Sequence, residues 1–416
     1  MKAKYKLPMG TKDYLPEECY KKNSVENKIM ATFFSHGYRK VETPHFEYYD
    51  MFSEGVGEIS AKNLFKMTDV DGGLLILRPD MTMPISRIVS TKLEESGVVK
   101  YCYLANSFSM KKEANRLREF TQCGVELIAP SSVALDSDMI LLAIESLLSS
   151  GLSEFQLDVG QVAFFRGLLD ELKLSKDDEN SLIELIDRKD MLGVDIFAKR
   201  VGVCDEKLEA LLRLPSLFGG VEVLDEAMEL ASNETSRRAI EELKKIYDVI
   251  EECGYKDYIT FDLSLVNGVS YYTGVVFKGI TRYFGEAILS GGRYDSLCSS
   301  FDKNKPAIGF AIGVDHLMRA IEKSSDINSM PIIDYVVGYS DDAYRTAYGV
   351  MKELRKRGFS VDNSYASSVE ELSKYRSDRN AKRMVFVEGG AKDVKVRLNN
   401  LDRDVIIREN GEEEEF

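Results

Sequence analysis

At 416 residues, 44% hydrophobic and 30% charged, the chain is long enough for two or three domains and has the make-up of an ordinary globular protein. No apolar run approaches the roughly 20 residues needed to span a bilayer, and Met1-Lys-Ala-Lys-Tyr-Lys6 has no apolar signal core behind it, which argues against membrane insertion. Acidic residues exceed basic ones by 69 to 55, a formal charge of −14, which argues against a nucleic-acid partner, because phosphates are gripped by clustered Lys and Arg.

In chain order, Pro16 suits a first helical turn, and Val25, Ile29 and Phe33 repeat at a spacing of four until Gly37. Tyr38–Tyr49 alternates as a strand interrupted by Pro44, with further strands at Leu74–Leu77, Tyr101–Ala105 and Phe120–Ile128 and a helix near Pro84–Leu93. Between about 161 and 257 the texture is helical. Val162, Phe165, Leu169 and Leu172 keep a helical period, Ser175-Lys-Asp-Asp178 resembles a capping box ahead of Leu182, Leu185 and Ile186, and helices follow at Val223–Leu230 and Ser236–Glu252. Strands return at Tyr258–Leu265, Ser270–Lys278 and Glu286–Ser290, followed by a strand–helix unit over Pro306–Ile321.

The first 325 residues therefore predict an α+β core with a largely antiparallel sheet and a helical insertion. Beyond a polar linker, residues 330–416 predict a small α/β domain. Its strands are Tyr335–Gly338, Phe359–Val361 and Met384–Val387, and its helices lie near Asp342–Lys356 and Val369–Arg376. The Glu412–Glu415 run predicts a solvated tail. Six scattered cysteines without a Cys-x-x-Cys pair, and only three histidines, predict a reduced cytoplasmic protein with no structural zinc and no cofactor.

Several segments carry a resemblance when taken together and in order. They are Pro8-Met-Gly-Thr-Lys-Asp-Tyr-Leu-Pro16 with Tyr38–Tyr49, Leu77-Arg-Pro-Asp-Met-Thr82, Phe120-Thr-Gln-Cys-Gly-Val-Glu-Leu-Ile128, Tyr271-Tyr-Thr-Gly-Val-Val-Phe277, and Gly291-Gly-Arg-Tyr-Asp295 with Ala307–Leu317. The set resembles the class II aminoacyl-tRNA synthetase core, and specifically the histidyl enzyme. That resemblance implies the class II fold, an anticodon-binding-like final domain and a homodimer formed around Pro44. Asp80, Thr82, Gln122 and Glu126, with Tyr271 and Tyr272, are the candidate histidine-binding residues. Gln122 and Glu126, four apart in a strand, share a face, as do Asp80 and Thr82; the four acceptors suit an ammonium or both N–H groups of an imidazolium. In a strand, Tyr271 and Tyr272 point to opposite faces, so one reaches the pocket while the other packs.

The same resemblance exposes what is missing. Activation of an amino acid on ATP needs charged, forked donors around a phosphate. Where the family carries its arginines, this chain has Ser109 after Phe108, Asn267 four residues before the tyrosine pair, and His316 in the Gly313–Leu317 segment; Lys111 replaces an adenine-facing glutamate and Ser270 an aspartate. Removing one such donor typically costs ~10²–10³ in rate, so losing three should end activation. Arg116 or Arg118 could swing back to replace one of the three, but not all of them. Arg293 reads as a structural turn residue and His316 as a helix residue near solvent, with no second ligand at metal spacing.

An intact amino-acid pocket without activation chemistry resembles the synthetase-like regulatory subunits of ATP phosphoribosyltransferase. Resemblance to that family implies no catalytic residues, a partnership with the short-form catalytic subunit in a hetero-oligomer, and feedback control by histidine. The alternatives are a divergent histidyl-tRNA synthetase, against which the lost arginines, the acidic balance and the short Glu388-Gly-Gly-Ala-Lys392 loop weigh, or a synthetase-like adaptor with another partner.

Overall fold

A computed structural model of the chain describes residues 5–53, 61–92, 97–111, 117–203, 205–266, 271–301, 303, 305–324, 329–389, 404–407 and 413–415. It divides into two compact units, Met1–Asn328 and Ser329–Phe416. Asn267, Ser270, Arg116 and most of the Glu388–Lys392 loop lie outside the described residues.

The first unit is organised by a nine-stranded sheet. Its strands run in the order Arg39–Lys40, Val99–Phe108, Glu119–Ile128, Ala307–Gly313, Phe284–Arg293, Val275–Thr281, Gln156–Gln161, Ile259–Asp262 and Phe218–Gly219. All pairings are antiparallel except the outermost one at the 39–40 end and that between 156–161 and 259–262. The two faces of the sheet are covered differently: a second apolar cluster sets Met83, Ile85 and Val89 of helix Thr82–Lys92 against Tyr103, Ile128 and Ala307 on one of them. Helices Pro16–Ser35, Val133–Ser150 and Glu234–Glu252 cover the other, where Val25, Ile29 and Phe33 meet Cys123, Val125 and Leu127 in the main core.

The Pro16–Ser35, Leu74–Leu77 and Val223–Leu230 elements fall where their periodicity places them. Ser175 caps its helix as expected, its Oγ accepting from Asp178 N at 3.2 Å. Three expectations are corrected. The Tyr38–Tyr49 stretch forms two short strands in different sheets, Arg39–Lys40 in the large one and Phe46–Tyr48 at the edge of a three-stranded one with 74–77 and 66–68, because Pro44 breaks the ladder between them. Helix Val133–Ser150 has no counterpart among the predicted elements. Ser132 caps it, Gly151 ends it in the left-handed region at φ 107°, and Met139, Ile140, Leu142, Ala143 and Ile144 are all buried, so apolar residues surround it and no single stripe announces it. Tyr271 and Tyr272 precede the strand, which starts at Val275.

The second unit has a five-stranded sheet in the order Val361–Asn363, Tyr335–Tyr339, Arg383–Val387, Val405–Ile407 and Glu413–Glu415, parallel except for the last pairing. Helices Tyr344–Lys356 and Val369–Asp378 pack on it through separate apolar clusters. The acidic end of the chain is thus an edge strand on Val405–Ile407 rather than a free tail. The backbone groups of its apolar neighbour fix it, and its charge discourages further pairing.

Candidate functional site

The face of the large sheet opposite the three long helices carries several small residues. Across four strands Lys278, Ser290, Ala311 and Gly124 stand opposite one another, and one row on come Gly292, Gly309 and Glu126. The glycines let side chains lie flat on the sheet. A Cβ at Gly309 would collide with the Glu126 carboxylate, one at Gly124 with the Tyr103 ring, and one at Gly292 would come within 2.8 Å of Tyr272. Glycine here makes room for neighbouring side chains, and at Gly309 and Gly292 those side chains belong to the cavity wall.

On this floor stands a cavity of about 220 Å³ walled by Asp80, Thr82, Glu126, Tyr271, Tyr272 and Tyr294. Glu126 is buried and accepts from Thr82 Oγ1 at 2.8 Å and from the Tyr294 hydroxyl. Asp80 sits ahead of helix Thr82–Lys92, and its Oδ1 accepts from Met83 N at 3.0 Å. Both tyrosines of the 271–272 pair face the cavity, because the backbone there has left strand geometry and no longer alternates. Their rings meet edge-on at 4.9 Å, and Tyr271 stacks on Tyr294 at 5.6 Å. Tyr294 stood in the Gly-Gly-Arg-Tyr-Asp motif without an assigned role; its signal was its place two residues beyond a glycine of the floor.

Burial pushes the Glu126 carboxyl up to about 8, against the pull of the Tyr294 and Thr82 hydroxyls, and raises Asp80 to about 6, opposed by the Met83 and Thr82 N–H groups. A carboxyl with a raised folded pKa holds its proton better folded than unfolded. Its contribution is therefore most favourable below its unfolded value near ~4.3 and is lost as pH rises towards 8. Glu126→Gln, which cannot ionise, is expected to match the wild type in stability near pH 5 and to exceed it by about 2–4 kcal/mol at pH 9. Urea unfolding at the two pH values reads this; an equal gap at both would show that folding does not raise the Glu126 pKa.

Gln122 shares a strand and a face with Glu126 but does not reach this cavity. It accepts from Ser107 Oγ at 3.0 Å and lines a second cavity of about 470 Å³, which joins the first along Ser290 and Ala311. That cavity also takes Lys111, Lys278, Glu286, Asp315 and His316, and no arginine stands among its described lining residues. His316 is a helix residue, with its side chain partly exposed on the wall of this cavity. Helix Val314–Ser324 starts at the end of a floor strand and its first turn overhangs the sheet, placing the imidazole 3.3 Å from Ala287 O and 4.7 Å from the Phe284 ring. Ser109 lies at the start of the preceding loop, its Oγ accepting from Lys111 N at 3.2 Å. Arg118 packs its aliphatic stem over Gly10 and is not among the lining residues of this cavity.

Arg293 is not a turn residue. It ends strand Phe284–Arg293, is buried, and forks onto Asp136 (Nε to Oδ1 3.0 Å, with Nη2 on the same oxygen) while Nη1 reaches Asp295 at 3.1 Å. It bolts the sheet to the first turn of helix Val133–Ser150.

The histidyl-tRNA synthetase family model matches residues 10–317, ending before the second unit. Apo histidyl-tRNA synthetase from S. aureus shares the fold at 21% identity and a TM-score of 0.68, over 92% of this chain and 91% of its own. An ATP phosphoribosyltransferase regulatory subunit/histidyl-tRNA synthetase from Bacillus halodurans C is nearer, at 31% identity and a TM-score of 0.83, covering 92% of this chain and 98% of that one. Among curated relatives, the ATP phosphoribosyltransferase regulatory subunit of Acetivibrio thermocellus is 37% identical over 86% of this chain and 87% of its own length. That of Clostridium botulinum is 33% identical over 96% and 95%. The chain belongs to the ATP phosphoribosyltransferase regulatory subunit family. Family membership joins a synthetase fold to the regulatory-subunit family. No helix among the described residues is long and apolar enough to cross a membrane.

Proposed function

We propose that this chain is the non-catalytic regulatory subunit of a short-form ATP phosphoribosyltransferase, that histidine is the ligand of the Glu126 cavity, and that histidine acts there as the feedback signal. The observation that carries the reading is the pairing of two adjoining cavities. One keeps buried acceptors and tyrosines suited to a small cationic amino acid, and the other has no arginine in its described lining to hold a phosphate. Histidine would then bias an assembled complex by its differential affinity for two states, a coupling of sites rather than a reaction.

The reading includes a homodimer formed around Pro44. In the three-stranded sheet there, Phe46, Tyr48, Met67, Leu75 and Leu77 fall on one face by register, with Phe46 and Tyr48 exposed on the edge strand. Such a face suits a self-complementary contact. Free thiols at Cys19, Cys102, Cys123, Cys253 and Cys298 suit the reducing cytoplasm, and the formal charge of −14 leaves tRNA out of the proposal. Histidine-dependent exchange of pyrophosphate into ATP separates this from a working synthetase: the purified chain is expected to show none above background, and robust exchange would overturn the proposal.

A further inference from the structure

The two adjoining cavities divide their charges unevenly. The smaller one is lined by the carboxyls of Asp80 and Glu126, and no lysine, arginine or histidine stands among its described lining residues. Its hydroxyls do not make up for this, because those of Thr82 and Tyr294 already donate to Glu126. The Met83 N–H at the start of helix Thr82–Lys92 is likewise taken, by Asp80. Such a pocket suits the ammonium and imidazole groups of an amino acid. A carboxylate placed beside the same two acids would have no cation to answer it. That end of the ligand must therefore leave by the opening the two cavities share, along Ser290 and Ala311.

Lys278 stands at that opening. It lies directly opposite Ser290 in the strand pairing, and Ser290 lies opposite Ala311, so the three form one row across the floor. Cross-strand partners project from the same face about 5 Å apart, a distance the four-carbon stem of a lysine covers. Lys278 is half-buried and lines the larger cavity, yet it makes no hydrogen bond or ion pair among the described residues. Asp158, opposite it on the other neighbouring strand, feels its charge without pairing with it, and the Asp158 Oδ1 accepts from the Thr260 hydroxyl at 2.6 Å.

The other two cations of the larger cavity are less well placed. The His316 imidazole is already held between Ala287 O at 3.3 Å and Glu286 at 3.8 Å. Lys111 enters from the loop beyond Phe108, where the strand has already run past Gln122. We propose that Lys278 receives the α-carboxylate of the amino acid held in the Glu126 cavity, so that the ligand bridges the two cavities; the inference rests on the histidine reading above. Recognition is then by both ends of the ligand, which selects an α-amino acid over an amine with the same side chain.

Calorimetry of the full-length chain with L-histidine and with histamine, which has the imidazole and ammonium but no carboxylate, tests this. The wild type is expected to bind histidine about tenfold more tightly than histamine. Lys278→Met keeps an unbranched stem and removes the charge. It is expected to lose roughly ten- to a hundredfold in histidine affinity with histamine affinity unchanged, while Lys278→Arg stays close to the wild type. Wild-type histidine affinity in Lys278→Met would overturn the assignment, and so would an equal loss for both ligands, which would mark a merely structural residue. Equal affinity of the wild type for histidine and histamine would also overturn it. If Glu126→Ala loses histidine while Lys278→Met does not, the histidine reading stands and this inference falls. Failure of the wild-type chain to bind histidine at all would sink both.

Discussion

Glu126→Ala is expected to abolish measurable histidine binding. The Glu126 carboxylate is the one buried acceptor that gathers the Thr82 and Tyr294 hydroxyls into the wall of the smaller cavity, and Gly309 stays free of a Cβ so that it can lie there. A cationic ligand beside Glu126 would favour its ionised form, so the substitution removes a charge-assisted contact worth about 1.5–3 kcal/mol and leaves two hydroxyls turned towards an empty space. In affinity that is roughly a ten- to hundredfold loss from the first effect alone. Calorimetry with free histidine should show no heat at concentrations that saturate the wild type. Gln122→Ala should do less, because Gln122 lines the neighbouring cavity. A larger effect at Gln122 than at Glu126 would move the ligand into the second cavity; wild-type binding by Glu126→Ala would remove it from both.

Arg293→Met should be the most destabilising of these changes. It leaves Asp136 buried beside an apolar side chain, and breaking one half of a buried pair typically costs about 3–5 kcal/mol. The double variant Arg293→Met with Asp136→Leu removes both charges and should recover most of the loss, since an apolar pair of similar volume can substitute for a buried ion pair. Urea denaturation of the two variants separates these outcomes. If the single variant unfolds with the wild type, or the double variant is no better than the single, the pair is not the bolt between sheet and helix. The single variant should also bind histidine less well, because Arg293 precedes Tyr294, whose hydroxyl rests on Glu126.

Much of this was legible in the residues. The buried Val25, Ile29 and Phe33 stripe, the cap at Ser175 and the order of the synthetase segments all show in the linear pattern, because they depend on local period and local hydrogen bonding. What was hidden depended on distance and on neighbours. Gln122 and Glu126 share a face, yet four residues of strand span roughly 13 Å, enough to place them in different cavities. Tyr271 and Tyr272 were assigned opposite faces on strand geometry that begins only at Val275. Helix Val133–Ser150 is apolar on nearly every side, so its period is faint. The role of Arg293 needed Asp136, 157 residues away. The acidic C-terminal strand needed Val405–Ile407 beside it.

The regulatory assignment is tested most directly by reconstitution: a short-form ATP phosphoribosyltransferase catalytic subunit assayed alone, with this chain, and with this chain plus histidine. The expected result is negligible transfer by the catalytic subunit alone, a large gain when the chain is added, and suppression of that gain by histidine. A catalytic subunit whose activity is unchanged by the chain would contradict it.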